Sequence, residues 1–445
     1  MFIDFFIEQF NKNDKKIAMV WENKLTTYGW LVNRITFWKD KLKKSGITFG
    51  SRVVLDATFS PESISIIFAL IESGCIIIPL FKPKNALKEE IFHECKVNFL
   101  ISFKNSFKIE PINKEITTHQ LFDQLYDRKH PGLILISSGT SGKPKAAVHD
   151  FLQLLKKFHK PGKKLTILNF LLFDHWGGLN TMFYTLSNVG TLVSTDNRST
   201  DNVCKIIQEY NIELLPTSPT FLKLLLLSES YKKYDLTSLK IISYGTESMP
   251  MNILTKINKI FPQVKIKQTY GLIEIGVLDS KSEKNNSLWI KLDSQDYKTR
   301  VIDGILQIKS NSTMLGYLNA PNPFTKDGWF ITGDRVEIKN EYFKILGRNS
   351  DLINVGGEKV YPDEVEKIIE TFENVADVTV YGERNTILGN IVCAKITLKT
   401  EEDHAIFIKK LKNYCKSKLA KFKVPIKIVI IDKIQYNYRF KKIIH

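Results

Sequence analysis

Short apolar runs of strand type alternate with helical patterns along most of this chain, and that alternation limits the fold more than any other feature. Residues 53–56, 75–79, 165–168, 190–193 and 239–243 read as strands. Between them, residues 61–74 read as a helix, with Pro61 near its start and Gly74 at its end, and 201–210 and 221–228 carry helical patterns. Strands that alternate with helices pack as largely parallel sheets, so the spacing predicts an α/β architecture. At 445 residues the chain is long for one domain and suggests two or three units.

The texture changes after about Gln268. Segments 306–309, 329–332 and 342–346 alternate like half-exposed strands. From Gly347–Arg348 onward the order is strand, helix (362–371), two strands (376–381, 391–398), helix (403–419) and strand (426–431), a small α+β unit. The boundary falls near 347–351, dividing the chain into 1–347 and 348–445.

Composition excludes several classes. An apolar share of 43% with 25% charged residues is that of a soluble globular protein. No stretch reaches the length of a membrane span, and no secretory leader is visible. The five cysteines are scattered with no Cys-x-x-Cys pair, which predicts a reducing, cytoplasmic setting without a disulfide framework or zinc site. The net charge of +17 comes from lysines spread along the chain, without the aromatic interleaving of a nucleic-acid surface. The tail is the exception: residues 401–445 hold twelve Lys or Arg against four Asp or Glu.

One run carries the first chemistry. Ile136-Ser137-Ser138-Gly139-Thr140-Ser141-Gly142-Lys143-Pro144-Lys145 follows an apolar strand. Hydroxyls, backbone N–H groups and lysines crowded into a glycine-bearing loop suit a triphosphate. It is not the common P-loop, which needs four residues between its glycines and Ser or Thr after its lysine. The structural alternative is a Ser/Gly surface loop.

Five further segments follow in order: Phe173-Asp174-His175-Trp176-Gly177-Gly178; Ser243-Tyr244-Gly245-Thr246-Glu247; Gln268-Thr269-Tyr270-Gly271-Leu272-Ile273-Glu274; Asp327-Gly328-Trp329-Phe330-Ile331-Thr332-Gly333-Asp334; and Gly347-Arg348-Asn349-Ser350-Asp351, continuing to Gly356-Gly357. Together with the loop they resemble the adenylate-forming superfamily of acyl-CoA synthetases, peptide-synthetase adenylation domains and luciferases, from about Ile17 to Lys442. The resemblance implies a large multi-subdomain N-terminal adenylate-forming domain followed by a small mobile C-terminal domain.

By that resemblance, Ser137, Ser138, Gly139, Thr140, Ser141, Gly142 and Lys145 hold the ATP phosphates, and Thr140 also serves catalysis. Gly245, Thr246, Glu247, Gln268, Thr269 and Gly271 line the nucleotide, Tyr270 stacks on adenine, Asp334 accepts from the ribose and Arg348 donates to ribose or phosphate. Glu274 holds Mg²⁺, which takes few carboxylates and keeps waters. Asp174, His175, Trp176 and Gly177 form the acid pocket, with His175 facing the substrate and counted among the catalytic residues. Ser350 is the hinge, Gly356 and Gly357 flank the thiol passage, and Lys441, with Lys442 as runner-up, is the catalytic lysine. Each also has a structural reading: Asp334 as a turn cap, Glu274 and Arg348 as solvated charges, His175 and Trp176 as core aromatics.

Three departures stand out. Ile273 occupies the place of the usual hydroxyl before Glu274. Phe440 replaces the glycine before Lys441. The N-terminal part is shorter than in many relatives.

The resulting expectation is an ATP-dependent ligase that joins a small carboxylic acid to the thiol of coenzyme A through an acyl-AMP. The alternatives are loading of an acidic acyl carrier protein through its phosphopantetheine, drawn by the basic tail, and a nucleotide-binding pseudo-enzyme or scaffold, suggested by Ile273 and Phe440. Phe173-Asp174 is the pattern of amino-acid-activating relatives; His175-Trp176-Gly177-Gly178 is that of acyl-CoA synthetases, pointing to an aryl, fatty or hydroxy acid.

Overall fold

Two seven-stranded sheets face each other across a shared layer of helices in the computed structural model, which describes residues 2–103, 106–113, 119–137, 144–292, 294–348, 351–385 and 389–432. The first sheet runs, edge to edge, Lys265–Gln268, Ile241–Tyr244, Leu214–Thr217, Thr166–Asn169, Thr191–Ser194, Ile17–Trp21 and Lys24–Thr27, parallel except for the last hairpin. The second runs Gly316–Tyr317, Lys145–Asp150, Gly132–Ser137, Ile76–Leu80, Arg52–Asp56, Phe99–Phe103 and Phe107–Pro111, parallel at its centre and antiparallel at both edges.

The central strands, such as Ile76–Leu80, are apolar and buried because both faces are covered. Along Arg52–Asp56, Val53 and Leu55 join the central core while Val54 joins the outer one. The helix Pro61–Glu72 lies in the central layer. Ser60 and Ser63 bond reciprocally across its first turn, and Pro61 takes the first helical position, where a missing N–H costs nothing. Its residues from Ser63 to Ile71 are all buried, and each large aliphatic among them contributes about 1.5–3 kcal/mol.

A six-stranded antiparallel sheet follows (Ser280–Ser282, Ile290–Leu292, Tyr342–Arg348, Phe330–Lys339, Ile305–Ser310, Tyr297–Ile302). The tail has its own core and sheet, built from Ile353–Val355, Glu358–Val360, Val375–Asn385, Gly389–Leu398 and Lys427–Ile430, with helices Pro362–Glu370 and His404–Lys418 packed on it. It touches the rest of the chain through Lys223 on the helix Pro219–Ser228. The Lys223 ammonium pairs with Glu370 (3.0 Å) and with Asp377, and all three side chains are under 10% exposed.

The expected strands and helices are present, most with ends displaced by one or two residues; the strands expected at 329–332 and 376–381 run on to Lys339 and Asn385. All five cysteines are free and buried. Among the described residues no helix is long and apolar enough to cross a membrane.

Candidate active site

The strand order of the first sheet marks where a site can form. From Thr166–Asn169 the chain passes through the helix Trp176–Ser187 to Thr191–Ser194 on one side, then through Thr200–Glu209 to Leu214–Thr217 on the other. The first of these helices packs in the central core and the second in a separate core, with Val20, Leu168 and Ile242, on the other face of this sheet. Loops leaving adjacent strands toward opposite faces open a crevice at the carboxyl ends, the usual ligand position in such sheets.

Two of the predicted segments sit side by side at that edge. Tyr244 and Gln268 are in register on neighbouring strands. The Tyr244 hydroxyl donates to Gln268 (3.2 Å), and Thr269 donates to the Tyr244 carbonyl through both its N–H (2.7 Å) and its hydroxyl (3.0 Å). Gly245 is required by close approach, since a Cβ there would lie 2.5 Å from the Thr269 hydroxyl. Thr246 has φ +72°, a left-handed conformation that costs on the order of 1 kcal/mol or more and that clusters at functional sites. Glu247 turns toward protein, accepting from the Thr220 N–H (3.2 Å) and hydroxyl (2.6 Å) at the start of Pro219–Ser228.

The charged centre lies where the antiparallel sheet meets this edge. Asp334 and Arg348 face each other on neighbouring strands, Nε to Oδ1 at 3.3 Å. The Tyr270 hydroxyl donates to the other Asp334 oxygen at 2.6 Å. Burial pushes the Asp334 carboxyl above its ordinary range, while Arg348 and Tyr270 pull it back. Burial, then the Asp334 charge, hold the Tyr270 phenol well above its usual value. For Arg348 burial alone lowers the pKa, but Asp334 and Glu274 outweigh it and the guanidinium stays charged. The Tyr270 ring, read from sequence as an adenine platform, is only 6% exposed and packs with Ala147, Leu278 and Ile308.

Glu274 occupies the tip of a hairpin in which Leu272 pairs with Gly276. Its backbone is held from both sides. Met314 N–H donates to the Glu274 carbonyl (2.7 Å), and His149 Nε2 bonds the Ile273 carbonyl (2.7 Å). Burial pushes the His149 imidazole down to about 4, so it is neutral and Nε2–H is the donor. The Glu274 carboxylate accepts from the Tyr317 hydroxyl, and the Lys145 ammonium stands 5.4 Å from the Tyr317 ring centre. Tyr317 was not foreseen: it lies 43 residues from Glu274, and nothing in its local spacing marks the contact.

Lys145 is opposite Ser137 on antiparallel strands, so the Ser/Gly run expected to bind phosphate connects two strands instead of a strand and a helix. That connectivity accounts for its departure from the P-loop pattern. Ser138, Gly139, Thr140, Ser141, Gly142, Ser350, Lys441 and Lys442 lie outside the described residues.

The predicted acid-pocket residues are placed differently from one another. His175 caps the helix Trp176–Ser187, its Nδ1 accepting from Gly177 N–H (3.2 Å). Trp176 is 2% exposed and packs edge-on to Phe151. Asp174 is buried beside Arg198, whose pKa burial lowers to about 10 against the pull of Asp174 and Asp196. A recess opens just before them, lined by Phe59, Phe81, Phe170, Phe173, Ser194 and Arg198 among others. Asp174, His175, Trp176 and Gly177 are not among its lining residues. Gly356 and Gly357 have φ +59° and +93° and make the two-residue turn between Ile353–Val355 and Glu358–Val360, a conformation that itself calls for glycine.

With this geometry in view, the comparisons with known proteins define the class. The family model of AMP-binding enzymes matches residues 6–318, and that of the AMP-binding enzyme C-terminal domain matches 364–441. The chain belongs to the AMP-binding enzyme family. It is similar to Triostin synthetase I of Streptomyces triostinicus (26% identity, covering 94% of this chain and 88% of that one). It is also similar to the indoleacetate–CoA ligase of Aromatoleum aromaticum (23%, covering 94% and 92%). Among solved structures it shares its fold with the anthranilate CoA ligase AuaEII in complex with anthranoyl-AMP (TM-score 0.83, 18% identity, 99% of this chain and 95% of that one).

Proposed function

We propose that the protein is an ATP-dependent carboxylic acid–CoA ligase working through an acyl-AMP. The observation that carries this reading is the buried Asp334, bonded by Tyr270 and Arg348 beside Glu274 in a chain of the AMP-binding family. Both Asp334 oxygens keep a further lone pair for the ribose hydroxyls.

The substrate carboxylate attacks the α-phosphorus of ATP, the bond to the β-phosphate oxygen breaks, and pyrophosphate leaves. Catalysis of such a step is positioning and charge stabilisation. Ser137, Lys145 and the run 138–143 hold the leaving pyrophosphate; Arg348 and Lys441 offset the charge that builds at the α-phosphate. The thiol sulfur then attacks the acyl carbon, the acyl–phosphate bond breaks, AMP leaves, and the thiol proton passes to solvent. Residues 348–445 move about Ser350 between the steps, taking Lys441 away and bringing Gly356-Gly357 to the thiol.

Glu274 fits a Mg²⁺ role. It is a half-buried carboxylate at a hairpin tip, and no group of three or more His, Cys, Asp or Glu that could hold a metal occurs among the described residues. A metal held by one carboxylate, substrate phosphates and waters is the usual Mg²⁺ arrangement, and it would neutralise phosphate charge. The aromatic recess beside Asp174 and Arg198 is the place for the acid.

A carrier-protein thiol is the second reading, favoured by the charge excess of the tail. Pyrophosphate release across a panel of acids, with coenzyme A, with carrier proteins and with neither, tests both. No acid-dependent release overturns the ligase reading, and thioester found only on carrier protein selects the second.

A further inference from the structure

Tyr317 joins two elements that the sequence places far apart. It belongs to the short strand Gly316–Tyr317, in register with Ala147 on the strand that begins at Lys145. Its N–H donates to Asn322 (2.7 Å), which fixes the backbone, and the residue is 8% exposed. From there the phenol reaches Glu274 Oε1 as donor, while the ring lies below the Lys145 ammonium.

Glu274 stands at a hairpin tip, where a carboxylate without a partner would sample several rotamers. The phenol holds one oxygen and leaves the other outside the bond. A neighbour that orients a metal-binding carboxylate in this way tunes affinity without touching the metal. Resting on the ligase reading, we infer that Tyr317 is a positioning residue that presets the Glu274 carboxylate for Mg²⁺ and ties it to the strand carrying Lys145. The nucleotide would then meet the metal-binding carboxylate and the phosphate-binding lysine at a fixed separation, set by one side chain that contacts neither metal nor substrate.

The test compares wild type, Tyr317→Phe, Glu274→Gln and the double variant as full-length proteins. ATP binding is measured by calorimetry without acid while Mg²⁺ is titrated, and acid-dependent ATP–pyrophosphate exchange is measured separately. For Tyr317→Phe the Mg²⁺ concentration at half-saturation should rise about tenfold. ATP affinity without Mg²⁺ should stay within about twofold, since the ring and its contact with Lys145 remain. Melting should stay within about 2 °C of wild type. The double variant should be no worse than Glu274→Gln alone, because the phenol acts only through that carboxylate. An unchanged Mg²⁺ dependence, losses that multiply in the double variant, or Mg²⁺-independent ATP binding by wild type overturns the inference. Failure of the ligase reading looks different: no acid supports exchange, while the Tyr317 dependence of Mg²⁺-linked ATP binding persists.

Discussion

Two charge clusters in this molecule each set two carboxylates against one cation, and their surroundings divide their uses. In Lys223–Glu370–Asp377 all three side chains are under 10% exposed, and the backbone N–H of Val378 also donates to Asp377. In Asp334–Glu274–Arg348 the arginine side chain is 47% exposed, so the cluster is open to solvent on that side. A sealed cluster must satisfy itself. An open one can leave its balance to be completed by a ligand, which is where perturbed carboxylates concentrate.

The sealed cluster should break hardest. Lys223→Met leaves two buried carboxylates uncompensated and should cost about 3–5 kcal/mol by denaturant titration. Adding Glu370→Gln and Asp377→Asn should recover much of it. If Lys223→Met abolished adenylation with stability unchanged, the contrast between the clusters would be wrong.

The open cluster, and the lysine proposed to act beside it, should respond in rate. Lys441→Ala should slow pyrophosphate exchange by roughly a hundred- to a thousandfold, as loss of a transition-state donor does. Thioester formation from pre-made acyl-AMP should survive largely intact; equal loss in both half-reactions would count against Lys441, and Lys442→Ala provides the control. Asp334→Asn removes a charge from hydrogen bonds worth about 1.5–3 kcal/mol, and kcat/KM for ATP should fall roughly ten- to a hundredfold with little change in melting. A melting loss without a kinetic one would make Asp334 a structural cap after all.

The smallest effect concerns the neutral imidazole behind Glu274. His149 takes up its proton near pH 4 in the fold and near 6.5 in the unfolded chain. The unfolded state therefore binds the proton first as pH falls. The contribution is full above about 6.5 and is lost progressively toward pH 4. His149→Gln keeps a donor for the Ile273 carbonyl and does not titrate. Its stability deficit at pH 7 should shrink by pH 5, and parallel curves for the two proteins would refute the assignment.

The N-terminal helices show what local sequence leaves unread. Tyr28–Lys44 buries Tyr28, Leu31, Ile35, Trp38 and Leu42 at helical spacing, a signal present in the chain but masked by charged neighbours. The glycines at 356 and 357 carried a turn signal as strong as their suggested passage for a thiol, because two left-handed residues in succession are what such a hairpin needs. His175, expected in the acid pocket, stands directly before the helix Trp176–Ser187 and caps it, a role that its local sequence does not mark.

The chain by itself determined the alternation of strands and helices, the small α+β tail, the Ser/Gly/Lys run at 136–145 and the order of the segments that carry the family resemblance. Each of these depends on a few neighbouring residues whose backbone geometry sets a period or a turn. Only the tertiary structure decided that Tyr317 meets Glu274, that Asp334 faces Arg348 across a strand pair, and that Lys223 binds the tail. Those contacts follow from sheet order and register, which are settled by how buried faces stack and not by any short stretch of residues.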